Sequence, residues 1–288
     1  MKILVTGGSG FLGSHMADAL SDRGHKVTIA DQKKSKYLRK DQKFVKIDIL
    51  NEKNLEKTIK KNEVVFHFAA LADLDESMLD PIGTVKQNIL GTTLILKACV
   101  KYNIKKIIYA SSIYSVATEG GFYACSKTAA ERYIVEFKRV HNLNYSIIRY
   151  GSLYGPRSNE NNGIYKILSD SIKKKKYVYF GNKLARRRYI NVFDAAKTTV
   201  ETISKKYNNK IVNILGGKEY KIQYLFQTLQ KLLKIDKKVS YLNKKFTGHF
   251  VKKPKILKTN IGKTMKINKE TSLIIGLKNL IQTEFNKR

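Results

Sequence analysis

The segment Val5-Thr6-Gly7-Gly8-Ser9-Gly10-Phe11-Leu12-Gly13 follows directly on the apolar start Lys2-Ile3-Leu4 and constrains this chain more than any other stretch. Gly7, Gly10 and Gly13 stand at GxxGxxG spacing, where a first strand must turn into a first helix. Such a turn needs a residue free to take positive φ, a pyrophosphate needs backbone without a Cβ in its way, and the helix must pack close to the strand. Each glycine answers one of those needs. Ser14-His15-Met16-Ala17-Asp18-Ala19-Leu20 then reads as helix, so the triplet has the strand-turn-helix context that a dinucleotide-binding motif requires.

At 288 residues the chain can bury one large domain or two closely joined ones. Apolar runs at residues 2–6, 26–30, 43–47, 63–68, 107–111 and 146–149 read as strands, separated by stretches of helical period. Near-continuous apolar strands alternating with helices predict an α/β fold: a doubly wound parallel sheet, a Rossmann-type nucleotide-binding domain, over residues 1–150. After Gly151 the alternation loosens into a turn at Gly155-Pro156, a helix over 163–174, short strands near 177–180 and 211–214, and a helix over 222–233. Residues 151–288 therefore predict a smaller C-terminal α+β lobe for substrate, packed over the strand ends, with parts of 185–215 returning to the first domain. A ligand of such a sheet lies at the carboxyl edges of its strands.

The formal charge of +33 comes from 56 Lys+Arg against 23 Asp+Glu, and it is uneven. Residues 1–150 hold 24 basic and 15 acidic side chains (+9), whereas 151–288 hold 32 and 8 (+24). That excess fits a nucleic-acid surface, an anionic membrane surface or a phosphate-bearing substrate. Only ten of the basic residues are Arg, the side chain whose planar fork recognition sites favour. The lysine runs (Lys173 to Lys176, Lys237-Lys238, Lys244-Lys245, Lys252-Lys253) come mixed with many Asn and Ile, which points to a solvated surface, and nucleic acid is not expected as a partner. Cys99 and Cys125, each inside a predicted helix, suit a reducing cytoplasm better than a disulfide framework, and Cys125 reads as a packing residue. His15, His25, His67, His141 and His249 show no paired ligand spacing, so no metal site is expected. The start of the chain has no secretory pattern, and no stretch reaches about 18 apolar residues, so secretion and a transmembrane segment are not expected.

Asp31 closes the second strand 18 residues after Gly13, where a carboxylate accepts hydrogen bonds from the adenosine ribose and repels a 2′-phosphate. NAD is favoured, while Lys33 and Lys34 leave NADP open. Asp48-Ile49, just past the third strand, is placed to hold the adenine. In Tyr123-Ala124-Cys125-Ser126-Lys127 the four-residue spacing puts Tyr123 and Lys127 on one helix face. A phenol titrates near 10, so a tyrosine base at neutral pH needs its phenolate stabilised by about 3 units, or about 4 kcal/mol. A nearby ammonium supplies part of that. The strand over 107–111 runs into Ser111-Ser112 at the same sheet edge, and a serine hydroxyl there can orient a reacting oxygen and stabilise its developing charge.

Taken together these residues resemble the extended short-chain dehydrogenases/reductases of the NAD-dependent epimerase/dehydratase family, over nearly the whole chain. The resemblance rests on TGGSGFLG at 6–13, Asp31, Asp48-Ile49, HFAA at 67–70, Asn88 with Gly91-Thr92, Ser111-Ser112, YACSK at 123–127, RYGSLYGPR at 149–157 and RRYINVFDAA at 187–196. It implies a catalytic trio of Ser112, Tyr123 and Lys127, and an NAD site lined by Gly7, Gly10, Phe11, Leu12, Gly13, Asp31, Asp48, Ile49, Phe68, Ala69, Ala70 and Tyr150 together with Tyr123 and Lys127. It also implies that Asn88 and Ser152 contact a sugar nucleotide and that Arg187 grips its diphosphate, a role that suits the guanidinium fork.

The departures narrow the chemistry. Dehydratases of the family carry Thr-Asp-Glu at the serine position, and sugar-acid decarboxylases place a glutamate just after it; this chain has Ser112-Ile113-Tyr114. Only ten residues separate Ser112 from Tyr123, Val116-Ala117 stands near a usual Val-Tyr-Gly, and Asn191 replaces a frequent histidine. The expectation is an NAD-dependent nucleotide-sugar epimerase, acting at C4 of a UDP-sugar through a transient ketone, in the cytoplasm and in surface-polysaccharide precursor synthesis. The alternatives are a keto-sugar-nucleotide reductase or dehydrogenase using the same trio and, against that intact trio, a non-catalytic NAD- or RNA-binding protein. Two helices, over 85–102 and 123–141, carry apolar residues around more than one face, among them Ile89, Leu94, Leu96, Ile134, Val135 and Phe137. Corresponding helices pair across a dimer in the family, so a homodimer is expected.

Overall fold

The structure, a computed structural model, describes residues 1–242, 256 and 261–286. Lys244-Lys245, Lys252-Lys253 and His249 lie outside the described residues. The first half runs β1 (Lys2–Thr6), α1 (Phe11–Ser21), β2 (Lys26–Asp31), β3 (Lys43–Lys46), α2 (Glu52–Ile59), β4 (Val64–His67), α3 (Leu74–Leu79), α4 (Pro81–Thr84), a π-helical turn (Val85–Leu90), α5 (Gly91–Lys101), β5 (Lys106–Ser112), a 3-10 turn (Ile113–Val116), α6 (Gly121–His141) and β6 (Tyr145–Tyr150). The second half adds β7 (Ser152–Tyr154), α7 (Gly163–Ile172), β8 (Val178–Phe180), β9 (Arg186–Arg187), β10 (Tyr189–Asn191), α8 (Val192–Val200), β11 (Lys210–Ile214), β12 (Tyr220–Lys221), α9 (Ile222–Leu233), β13 (Ser240–Leu242), β14 (Lys263–Thr264) and α10 (Leu273–Glu284).

Eight strands form one sheet in the order β14-β11-β6-β5-β4-β1-β2-β3, and every pair in it is parallel. Alternate side chains of each strand point to opposite faces. Ile3, Val5, Val27 and Ile29 pack on Met16 and Leu20 of α1 and Ala195 of α8. Leu4, Val65, Ile107 and Ile147 pack on Leu55 of α2, Leu96 of α5 and Ile134 of α6. Both faces are covered, as the apolar strand pattern predicts. The sheet does not stop at Tyr150, however: β11 pairs with β6, with Ile214 opposite Tyr150, and β14 then adds Lys263–Thr264 beyond the expected return of residues 185–215. A separate core of Tyr154, Ile164, Leu168, Leu225, Leu229 and Leu277 joins α7, α9 and α10 in the second lobe.

Strand order reverses at β1, since the chain leaves β1 for β2 on one side and later places β4 on the other. A crevice opens at such a switch point. The carboxyl ends of β1, β2, β4, β5 and β6 deliver Gly7, Asp31, Phe68, Ser112 and Tyr150 to that edge.

Candidate active site

Gly7 adopts φ +69°, and a Cβ on it would stand 2.5 Å from the Ala69 backbone nitrogen. The turn therefore needs both a left-handed residue and a bare Cα against the Phe68-Ala69-Ala70 loop. Gly13 meets the third need, because a Cβ there would stand 2.1 Å from the Gly7 carbonyl oxygen. Helix α1 starts from Gly10 with no side-chain cap, which leaves its first N–H groups, those of Phe11 and Leu12 among them, without an intrahelical partner. Ser9 Oγ is buried and lacks a hydrogen-bond partner. Unpaired donors and the positive end of a helix dipole are what a pyrophosphate requires.

Asp31 is held by two backbone N–H groups: Ser9 donates to Oδ2 at 3.0 Å and Lys33 to Oδ1 at 3.2 Å. The glycine loop and the Asp31 carboxylate are thus one unit. Asp48 is exposed and accepts from the Leu50 N–H at 2.9 Å, while the Ile49 side chain packs against Gly91 in the core. The crevice fits a dinucleotide with a free ribose 2′-hydroxyl.

Ser112 ends β5, Tyr123 lies in the first turn of α6, and Lys127 follows one turn later; all three are buried. Lys127 Nζ donates to the Ala110 carbonyl at 2.9 Å and lies 5.7 Å from the Tyr123 ring centroid. Burial pushes the Tyr123 phenol up to about 12, with a Ser112 hydrogen bond pulling the other way. Burial lowers Lys127 to about 8, opposed by the charge of Glu131. The protein alone therefore keeps Tyr123 protonated at neutral pH.

A second buried network underlies the trio, and the sequence reading missed it. Glu131 Oε1 accepts from Ser111 at 2.5 Å, from Ser115 at 2.7 Å and from Arg149 Nε at 2.9 Å, while Arg149 also reaches Oε2 at 2.5 Å. It ties the end of β5, the 3-10 turn, α6 one turn beyond Lys127, and β6. Its signal was present: Glu131 sits four residues after Lys127, and Arg149 opens the RYGSLYGPR run. His67 forms another buried chain. Thr92 donates to the Asn88 carbonyl at 2.6 Å, so its oxygen accepts from His67 Nε2 at 3.0 Å, and His67 Nδ1 accepts from Thr6 at 2.8 Å.

The expected substrate residues have different placements. Asn88 is buried, and its amide bonds the Leu71 N–H and carbonyl and the Ser126 hydroxyl at 2.8 to 2.9 Å. It thereby clasps the loop after β4 to α6. Ser152 starts β7 half-buried, its N–H donating to the Arg188 carbonyl at 3.2 Å. In the arginine triplet, Arg186 reaches Glu219 at 3.3 Å and Arg188 reaches the Gly216 carbonyl at 2.7 Å. Arg187 instead carries its charge beside Tyr114, Tyr179 and Tyr189, whose phenols it holds down against burial. Tyr150 lies opposite Ser112, its hydroxyl paired with Thr199 at 2.8 Å. Cys125, expected as packing, is exposed, because the i+2 position turns it off the face that carries Tyr123. Among the described residues no group of three or more His, Cys, Asp or Glu is placed to hold a metal ion, and no helix is long and apolar enough to cross a membrane.

The chain is 34% identical over 250 residues to a putative UDP-glucose 4-epimerase of Methanocaldococcus jannaschii, covering 79% of this chain and 81% of that one. It is 29% identical to a UDP-N-acetyl-alpha-D-glucosaminuronate decarboxylase of Bacillus cytotoxicus, over 84% and 83% of the two chains. Among solved structures it resembles the UDP-glucose 4-epimerase of Thermotoga maritima with UDP-glucose, at TM-score 0.87 and 28% identity over 98% of each chain. The NAD dependent epimerase/dehydratase family profile matches residues 3–214, and the chain belongs to that family.

Proposed function

We propose that this protein is a UDP-sugar 4-epimerase. The observation that carries the reading is the buried trio Ser112, Tyr123 and Lys127 at the cofactor crevice, followed by Ile113-Tyr114 rather than by a carboxylate. Elimination of water needs an added acid and base, and the positions after Ser112 provide neither. The similarity to UDP-sugar 4-epimerases supports the same choice.

When bound, NAD supplies a hydride acceptor and donor and a positive charge near the phenol. Tyr123, buried and hydrogen-bonded to Ser112, takes the proton from the sugar 4-hydroxyl and returns it after the ketone has turned over. Ser112 holds the reacting oxygen. Lys127, fixed by the Ala110 carbonyl, keeps its remaining N–H donors for the ribose and its charge beside the phenol. Arg187, whose charge lies beside Tyr114 and Tyr179, takes the grip on the diphosphate in this reading. The enzyme works in the cytoplasm, on precursors of surface polysaccharide.

The protein acts as a homodimer. Leu96 and Ile134 lie in the core, yet Phe122, Tyr133 and Val140, spaced 11 and 7 residues apart, leave an apolar stripe exposed along α6, and Val85 and Leu90 are exposed on the helical turn that packs against it. Purified protein incubated with UDP-glucose, UDP-N-acetylglucosamine or UDP-glucuronate, without added cofactor, tests the reading. Conversion of one of them to its 4-epimer with no net absorbance at the reduced-nicotinamide band is expected; release of carbon dioxide, loss of water or net reduction contradicts it.

A further inference from the structure

A groove of about 980 Å³ lies on the sheet face under α2, along β3 and reaching the amino ends of the strands. It exists because residues 32–42 join β2 to β3 without a helix, so nothing in that connection crosses the face where Thr28 and Val45 form the floor. Its lining is basic. Lys2, Lys26 and Lys43 are the first residues of β1, β2 and β3, Lys57 and Lys61 come from the α2 side, Lys40 precedes β3 and Lys46 closes it. Asp41 is the only carboxylate in the lining.

Composition alone does not produce this arrangement, because the charges are sorted. The carboxylates of α2 point the other way: Glu52 pairs with Lys97 and Glu56 with Lys101, both at 2.6 Å on α5. Glu63 pairs with Lys105 at 2.6 Å, and Asp41 with Arg39 at 2.9 Å. Each of these four carboxylates is thus paired with a cation outside the lining. Among the described residues none of the seven groove lysines makes an ion pair. Lysines held this close raise each other's electrostatic energy, which an anionic occupant relieves.

The lining contains no aromatic ring and no arginine. Bases would find no platform to stack on and no fork to read them. It does contain an open strand: among the described residues β3 is the last in the sheet order, and the N–H and C=O groups of its outer edge face no strand. Only a polypeptide can complete that ladder. We propose that the groove docks an acidic, extended segment of a partner protein, laid along the free edge of β3 with its carboxylates among these lysines. Most of this surface lies toward the amino ends of the strands, away from the cofactor crevice, with only Lys46 and Ile47 adjoining Asp31, and the docking is independent of the reaction assigned above.

The test is fluorescence anisotropy of the full chain, at low salt, with a labelled peptide of alternating Glu and Thr. Micromolar binding that weakens steeply with added salt is expected. Lys43→Glu with Lys57→Glu and Lys61→Glu should weaken it by about tenfold or more, the sum of three exposed charge pairs. The same number of reversals at Lys173, Lys175 and Lys176 should leave it unchanged, and NAD released on denaturation should be equal in all three proteins. N-methylation of alternate peptide bonds should abolish binding by blocking strand pairing. Absence of binding, equal loss in both triple variants, tolerance of N-methylation, or displacement of the peptide by an oligothymidine of equal charge would each overturn the proposal.

Discussion

Tyr123 is a phenol that its own protein makes a worse base. Burial takes it to about 12, so a proton-abstracting role depends on charge brought near it, from Lys127 and from bound NAD. Tyr123→Phe keeps the ring and loses only the hydroxyl. It should retain NAD, measured by mass spectrometry of nucleotide released on denaturation, and lose turnover by about 10²-fold to 10⁴-fold; activity near that of the parent would remove Tyr123 from the chemistry. Two histidines make a separate prediction about pH. Burial lowers His15 to about 4 and His67 to about 3, so both stay neutral in the folded protein where an unfolded histidine, near 6.5, takes a proton. Below pH 6.5 the unfolded chain binds more protons, and stability falls as pH falls, by a few kcal/mol for the pair on reaching about pH 4.5. Calorimetry should show a Tm lower at pH 4.5 than at pH 7, with a shallower fall in His15→Gln; an unchanged Tm would contradict the buried neutral histidines. The meeting of Ser112, Tyr123 and Lys127 at one sheet edge, with Asp31 along it, was legible in the sequence because each occupies a fixed offset from a strand end or helix turn. The bonds that Asn88 makes were not, since its partners Leu71 and Ser126 lie 17 and 38 residues away.

The βαβ start of the chain and the β5-α6-β6 unit carry the site. Six strands and the helix over 222–233 were readable from apolar period, because parallel strands buried on both faces leave continuous apolar runs. The pairing of β14 at the far edge of the main sheet was not, since a strand of two residues carries no period to read. Gly13→Ala tests the first unit. Its Cβ would meet the Gly7 carbonyl oxygen at 2.1 Å, backbone against backbone, so α1 must move away from β1. A loss of about 3 kcal/mol in stability and of copurifying NAD is expected; NAD retained at the parent level would show that the close approach is not required. Glu131 tests the second. Glu131→Ala leaves Arg149 buried without its carboxylate and should cost about 3–5 kcal/mol in chemical denaturation, whereas Glu131→Leu combined with Arg149→Met should recover most of it. A double variant as unstable as the single one would mean that the charges themselves are needed.

The whole molecule is a doubly wound sheet with a second core around α7, α9 and α10, and it carries an excess of lysine that the groove beside β3 in part organises. The apolar face on α6 and its neighbouring helix predicts a dimer in sedimentation at micromolar concentration, and a monomer under those conditions would contradict it. Which sugar is bound was not legible, because the stretch between Ser112 and Tyr123 is short and departs from the family pattern, and no residue of 151–288 stands at a telling spacing. On the proposed reading the reaction is a closed cycle: the hydrogen removed from C4 returns to C4, and the solvent contributes none. UDP-glucose carrying deuterium at C4, incubated in ordinary water without added cofactor, measures this directly. The account predicts a 4-epimer that keeps the deuterium at C4 with no reduced nicotinamide accumulating; washout of the label, a dehydrated or decarboxylated product from this or a matching UDP-sugar, or a requirement for added reductant would contradict it.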